Sequence, residues 1–176
     1  MDNASLRATS LSVRRGTHPL HFPARVPPPR REKFSFSRFS HGLFFRQTRL
    51  MPLVRIDLIE GKPAAYRRTI GDVIYDAMRQ TINVPEGDRF QVITEHAAAD
   101  FIFDPNYLGI ARTPDCIFIQ VTLNKGRTTE LKKAFYQAIA DGLHERIHLR
   151  REDVVINLVE VDKENWSFGH GLAQYA

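Results

Sequence analysis

The sequence predicts an α/β domain built from two tandem β-α-β repeats, and three observations lead there. First, the chain from residue 52 onward aligns with itself at an offset of 65 residues without a gap. Leu58, Gly61, Ile74, Asp76, Ile82, Asp88 and Glu95 recur as Leu123, Gly126, Ile139, Asp141, Ile147, Asp153 and Glu160, and an internal repeat constrains a fold before any single element does. Second, each copy passes from strand-like alternation to a helical apolar period and back. Third, turn signals fall where the period changes, as at Gly61-Lys62-Pro63 and Pro85-Glu86-Gly87.

Leu53 to Ile59 alternates as a strand, and Pro63 suits the first turn of the helix that follows. Tyr66, Ile70, Val73, Ile74, Ala77, Met78 and Ile82 form one apolar stripe at helical spacing. Arg89 to Glu95 is the second strand. Residues 96–115 do not repeat, and a short turn or strand is expected around Phe101–Asn106. The second copy, about residues 116–161, has its strand at Cys116 to Leu123. Its helix runs from Thr128 to Ile147 with Leu131, Ala134, Phe135, Ala138, Ile139 and Leu143 inward, and its closing strand from Asp153 to Val161. Two strands joined by one helix run parallel with a right-handed crossover. Two such units give a four-stranded sheet with both helices on one face. The other face is left to be buried against another subunit.

Charge divides the chain at Met51. The first 51 residues carry a net charge of +8 and five of the ten prolines, whereas residues 52–176 carry −3. The basic stretch has no sustained apolar period and reads as a disordered extension. Three explanations fit it. Translation starts at Met51 and the stretch is never made; or it is an Arg- and Ser-rich transit peptide; or it is a nucleic-acid arm with Phe34, Phe36, Phe39, Phe44 and Phe45 among its arginines. The first is preferred, and a nucleic-acid partner is not expected. No apolar run is long enough to span a membrane as a helix, and the single Cys116 forms no internal disulfide. The expected location is cytoplasmic, or mitochondrial if the extension is a transit peptide.

Met51-Pro52 followed at once by a hydrophobic strand, inside a doubled β-α-β unit, resembles the tautomerase superfamily. Within it the chain is most similar to the malonate semialdehyde decarboxylase-like group. The runs that carry the likeness are Pro52-Leu53, Asp57-Leu58-Ile59-Glu60-Gly61, Val84-Pro85-Glu86-Gly87-Asp88-Arg89, Gly109-Ile110-Ala111-Arg112-Thr113, Ile119-Gln120-Val121-Thr122 and Trp166-Ser167-Phe168-Gly169. The resemblance implies an α+β tautomerase-like fold, a homotrimer, and an amino-terminal proline exposed by removal of the initiator Met. The chemistry explains that requirement. A peptide-bonded nitrogen has its lone pair delocalised and is no base. A free α-amine is basic, and burial with nearby cations brings its pKa toward neutrality.

By the same resemblance Pro52 is the general base and Asp88 the acid that orients a water or the reacting group. Lys125 and Arg127 stand where the decarboxylase group has two arginines that bind the substrate carboxylate. Arg127 offers a planar fork, Lys125 only a point charge. Trp166 and Phe168 match an apolar wall over the site. The implied activity is tautomerisation of a 2-keto acid or its enol, with decarboxylase or hydratase activity beside it, and no metal, nucleotide or organic cofactor. A malonate semialdehyde-type decarboxylase is one alternative; a non-catalytic binding protein on the same fold is another. Arg112 fits a loop or inter-subunit role, and His96 a structural one. His144-Glu145-Arg146-Ile147-His148 fits the HExxH zinc pattern. Both histidines fall opposite the apolar stripe, at the helix's last turn, so a zinc site is not expected.

Overall fold

The computed structural model describes residues 51–176; the basic extension, residues 1–50, lies outside the described residues. Four strands, β1 (Leu53–Ile59), β2 (Phe90–His96), β3 (Ile117–Asn124) and β4 (Val154–Val161), form one sheet in the order β2-β1-β3-β4. Two helices, α1 (Ala64–Ile82) and α2 (Thr129–Ile147), complete the two β-α-β units. Within each unit the strands are parallel, and β1 meets β3 antiparallel at the centre. The anticipated architecture is therefore the observed one.

The core lies between the helices and one face of the sheet. Val54, Ile56 and Leu58 from β1 and Ile117, Ile119, Val121 and Leu123 from β3 pack against Ile70, Ile74 and Met78 of α1 and Phe135, Ile139 and Leu143 of α2. Period-two burial on the strands and a single stripe on each helix make this one layer on another. The helices approach closely at Gly142, where a Cβ would lie 2.8 Å from Cγ1 of Val73. Two inward expectations fail. Leu131 and Ala134 are exposed; the buried stripe of α2 begins at Phe135 and continues through Ile139 and Leu143.

The two copies agree residue for residue. Both helices are 19 residues long and start 65 residues apart. Each follows a glycine at positive φ, Gly61 at 108° and Gly126 at 117°, and each ends on a left-handed residue, Asn83 or His148. The equivalence also runs further than the sequence identities. A 3₁₀ turn at Ala98–Asp100 matches one at Lys163–Asn165, and the aromatic pair Phe101 and Phe103 stands where the second copy has Trp166 and Phe168. Residues 96–103 thus belong to the repeat, a correction to the sequence reading. The segment around Phe101–Asn106 forms no strand, and a 3₁₀ turn follows at Tyr107–Gly109.

The face away from the helices is partly apolar and uncovered. Phe90 and Val92 on β2 are 49% and 44% exposed. At one end of this face Phe101 stacks on Phe118 with ring centroids 4.6 Å apart, and His96 Nε2 lies 2.7 Å from Asp57 Oδ1.

Candidate active site

The other end of the face is built around Pro52. Pro52 is buried and directly precedes β1, a position where a sheet tolerates a residue without an N–H. Leu53 pairs with Phe90 on one side and Thr122 on the other. That register brings the Pro85–Asp88 loop to one flank of Pro52 and the end of β3, Leu123 and Asn124, to the other. A cavity of about 260 Å³ opens here, lined by Met51, Pro52, Leu53, Phe90, Trp166, Ser167 and Phe168. Its lining is mainly apolar side chains, as expected of a pocket that excludes water from a small ligand. Trp166 and Phe168 stack with centroids 5.4 Å apart, and Tyr175 meets the edge of Phe168.

Arg127 turns inward and Lys125 does not. Arg127 is half-buried, and its Nη1 donates to the carbonyl of Asn124 at 2.6 Å. Burial lowers its pKa, with the Glu160 carboxylate opposing; a guanidinium stays charged nonetheless. Its Nε and Nη2 atoms are buried and have no acceptor among the described residues. A buried donor left without an acceptor costs about 1–3 kcal/mol, more when charged, so such a group signals a function. Lys125, by contrast, is exposed and paired with Asp162 at 2.8 Å, and that carboxylate raises its pKa. The glycine between the two cations turns the backbone so that they face different surroundings.

Asp88 is buried, at 5% exposure, two residues before the cavity-lining Phe90. Its repeat mate Asp153 is also buried, but its role is plain: it accepts from the amide and hydroxyl of Thr113 at 2.6 and 2.8 Å. Arg112 clamps its own loop through the carbonyls of Tyr107 and Ile110. His144 and His148 are both exposed, and His144 Nδ1 contacts the Leu149 carbonyl. Sequence reading missed Asn124. It is 2% exposed, and its Oδ1 accepts from the Trp166 indole at 2.8 Å. The signal available was a polar residue ending an apolar strand where the first copy has Ile59.

Comparison with known proteins gives the family. Two models described as tautomerase enzyme match, one over residues 52–111 and the other over residues 88–169. The probable tautomerase YusQ of Bacillus subtilis (strain 168) is 44% identical over 124 residues, covering 70% of this chain and 98% of the relative. The chain belongs to the tautomerase family. Among solved structures, FG41 malonate semialdehyde decarboxylase inhibited by 3-bromopropiolate is 38% identical with a TM-score of 0.66, over 70% of this chain and 93% of that one. A fused 4-OT described as a symmetric trimer is 25% identical with a TM-score of 0.58, over 70% and 97%. Membership in the tautomerase family carries the coarse function, isomerase-type chemistry on this fold.

Proposed function

We propose that the form of this tautomerase beginning at Pro52 interconverts the enol and keto forms of a 2-keto acid. The observation that carries the reading is Pro52, buried on the wall of a 260 Å³ apolar cavity, beside a strand end that holds the inward-turned Arg127. Met51 lines the same cavity, so its removal would both widen the pocket and free the proline nitrogen. Burial and a nearby guanidinium each disfavour protonation of that amine, leaving a base near neutral pH. The nitrogen takes the enolic proton from oxygen and leaves an enolate. As the C2=O bond then forms, the C2=C3 electron pair takes the proton back from the prolyl ammonium at C3. Arg127 holds the carboxylate and stabilises the charge that develops on the enolate oxygen. Asp88 orients the reacting oxygen.

The test is phenylpyruvate enol–keto conversion by a chain whose mass and terminal sequence show Pro52 first. The 124 matched residues cover 98% of the curated relative, so the segment from Pro52 onward is the unit to express. Pro52→Ala is expected to lower kcat/KM by about 100-fold or more. Activity unchanged by Pro52→Ala would overturn the reading.

Decarboxylation of malonate semialdehyde is the second reading, supported by the 38% identity to that decarboxylase. The engagement of Lys125 with Asp162 favours the tautomerase, because it leaves one cation and not two at the carboxylate. Conversion of malonate semialdehyde to acetaldehyde faster than phenylpyruvate turnover would reverse that preference. The uncovered sheet face and the trimeric relative support a homotrimer, and sedimentation equilibrium giving three chains is the expected result.

A further inference from the structure

Among the positions where the two copies differ, one pair is linked by a contact that the other copy cannot make. In the first copy Ile59 ends the strand and Phe101 lies over the sheet; both are apolar. In the second copy the same two places hold Asn124 and Trp166, each with a polar group, and the two groups meet at 2.8 Å. An indole N–H only donates, so the carboxamide atom facing it is the oxygen, which settles the orientation of the amide. The Nδ2 of Asn124 therefore faces away from Trp166. It is buried and has no acceptor among the described residues, like Nε and Nη2 of Arg127, whose Nη1 is held by the carbonyl of Asn124 itself.

We propose that Asn124 is the positioning residue of the Pro52 site: its side-chain oxygen fixes Trp166 as the wall, its main-chain oxygen fixes Arg127, and its Nδ2 joins the Arg127 N–H groups in receiving the substrate carboxylate. The inference rests on the 2-keto acid reading for its third part and stands without it for the first two. A residue with these roles sits at the end of the sheet that carries the Pro52 cavity, and its mate Ile59 could perform none of the side-chain ones. The N-terminus of α2, capped by Thr128, adds further amide dipoles on the same side as the donors.

Trp166 is the sole tryptophan of the chain, so in the form that begins at Pro52 its fluorescence reads this one contact. Asn124→Leu, which removes both amide atoms, is expected to shift Trp166 emission and raise its quenching by acrylamide at least twofold. It is also expected to weaken pyruvate binding, followed by the same emission, by tenfold or more. Asn124→Asp keeps an acceptor for the indole and removes the donor. It should leave the ligand-free emission as in the wild type and still weaken pyruvate by tenfold or more. Circular dichroism checks that each variant folds, and Asn124→Ser replaces Asn124→Leu if that variant does not. Wild-type emission and pyruvate affinity in both variants would overturn the proposal. If pyruvate fails to bind the wild type while Asn124→Leu shifts the emission, the carboxylate role and the 2-keto acid reading fall together and the wall-positioning role stands.

Discussion

Leu53 and Phe118 occupy equivalent places at opposite ends of one sheet face, and their surroundings show how a repeated fold divides its labour. Around Phe118 the charged groups are largely engaged. Phe101 stacks on it, Lys62 pairs with Asp115 at 2.7 Å, and Asp153 is engaged by Thr113. Around Leu53 the aromatic pair stacks on itself and leaves a cavity. Arg127, the mate of Lys62, has two N–H groups without an acceptor among the described residues. The strands and helices repeat at both ends, but Thr113 and Asp115 come from the connection before β3, whose mates lie outside the described residues. Engaged pairs of the first kind stabilise, whereas the Arg127 donors, without an acceptor among the described residues, suit a ligand.

The largest effect that tests this contrast is on activity. Arg127→Ala is expected to lower kcat/KM for phenylpyruvate by roughly 10²–10³-fold, the loss typical of removing a charged partner from a desolvated carboxylate. Lys62→Ala, the equivalent change at the closed end, should leave it within about twofold. Equal losses would erase the distinction between the ends. The next effect is on stability. Asp153→Ala strands the Thr113 amide in a buried place and is expected to cost about 2–4 kcal/mol in urea unfolding. Asp88→Asn, its counterpart, should lower kcat by tenfold or more, which Asp153→Ala in folded enzyme should not.

Much of this was legible in the sequence because the repeat is ungapped: an offset of 65 places both helices to within a residue at their ends. Pro52, Trp166 and Phe168 were legible too, and one cavity brings them together. Other features were not. Lys125 and Arg127 are separated by one residue, and only the positive φ of Gly126 sends one to solvent and the other inward. The edge-on pair Phe101 and Phe103 escaped the repeat because Phe103 is the one residue from 96 to 103 that is identical to its mate, Phe168, and a single match makes no pattern. Asn124 escaped because its meaning depends on Trp166, 42 residues on. A contact of that range leaves no local pattern.

The closed end can be probed directly through Cys116, the mate of Met51. Cys116 is fully buried, and desolvation pushes its thiol up to about 11. The thiolate is the reactive form, so at pH 8 little of it exists in the native chain. Labelling by a disulfide reagent should be about 100-fold slower than in urea, and should track unfolding. Labelling at the rate of a free thiol would show that this end opens as readily as the other.

The smallest expected effect compares two ion pairs that the repeat makes equivalent. Glu95 meets Arg67 at 2.7 Å in the first copy, and Glu160 meets Lys132 at 2.7 Å in the second. The hydrogen bond from Lys132 holds the Glu160 carboxyl below its ordinary value of 4.5, with the Arg127 amide and guanidinium adding to the effect against some desolvation. A depressed folded pKa means stability that is present above about pH 4.5 and lost as pH falls through the folded value. The pair is about a quarter exposed, and solvent screening limits it to under about 1 kcal/mol. Glu160→Gln should therefore melt slightly below wild type at pH 7, and the two melting curves should converge as the pH falls below 4. A gap that widened in acid would mean that Glu160 is held in its neutral form, and the carboxylate would then no longer be the counter-charge that keeps Arg127 oriented at the open end.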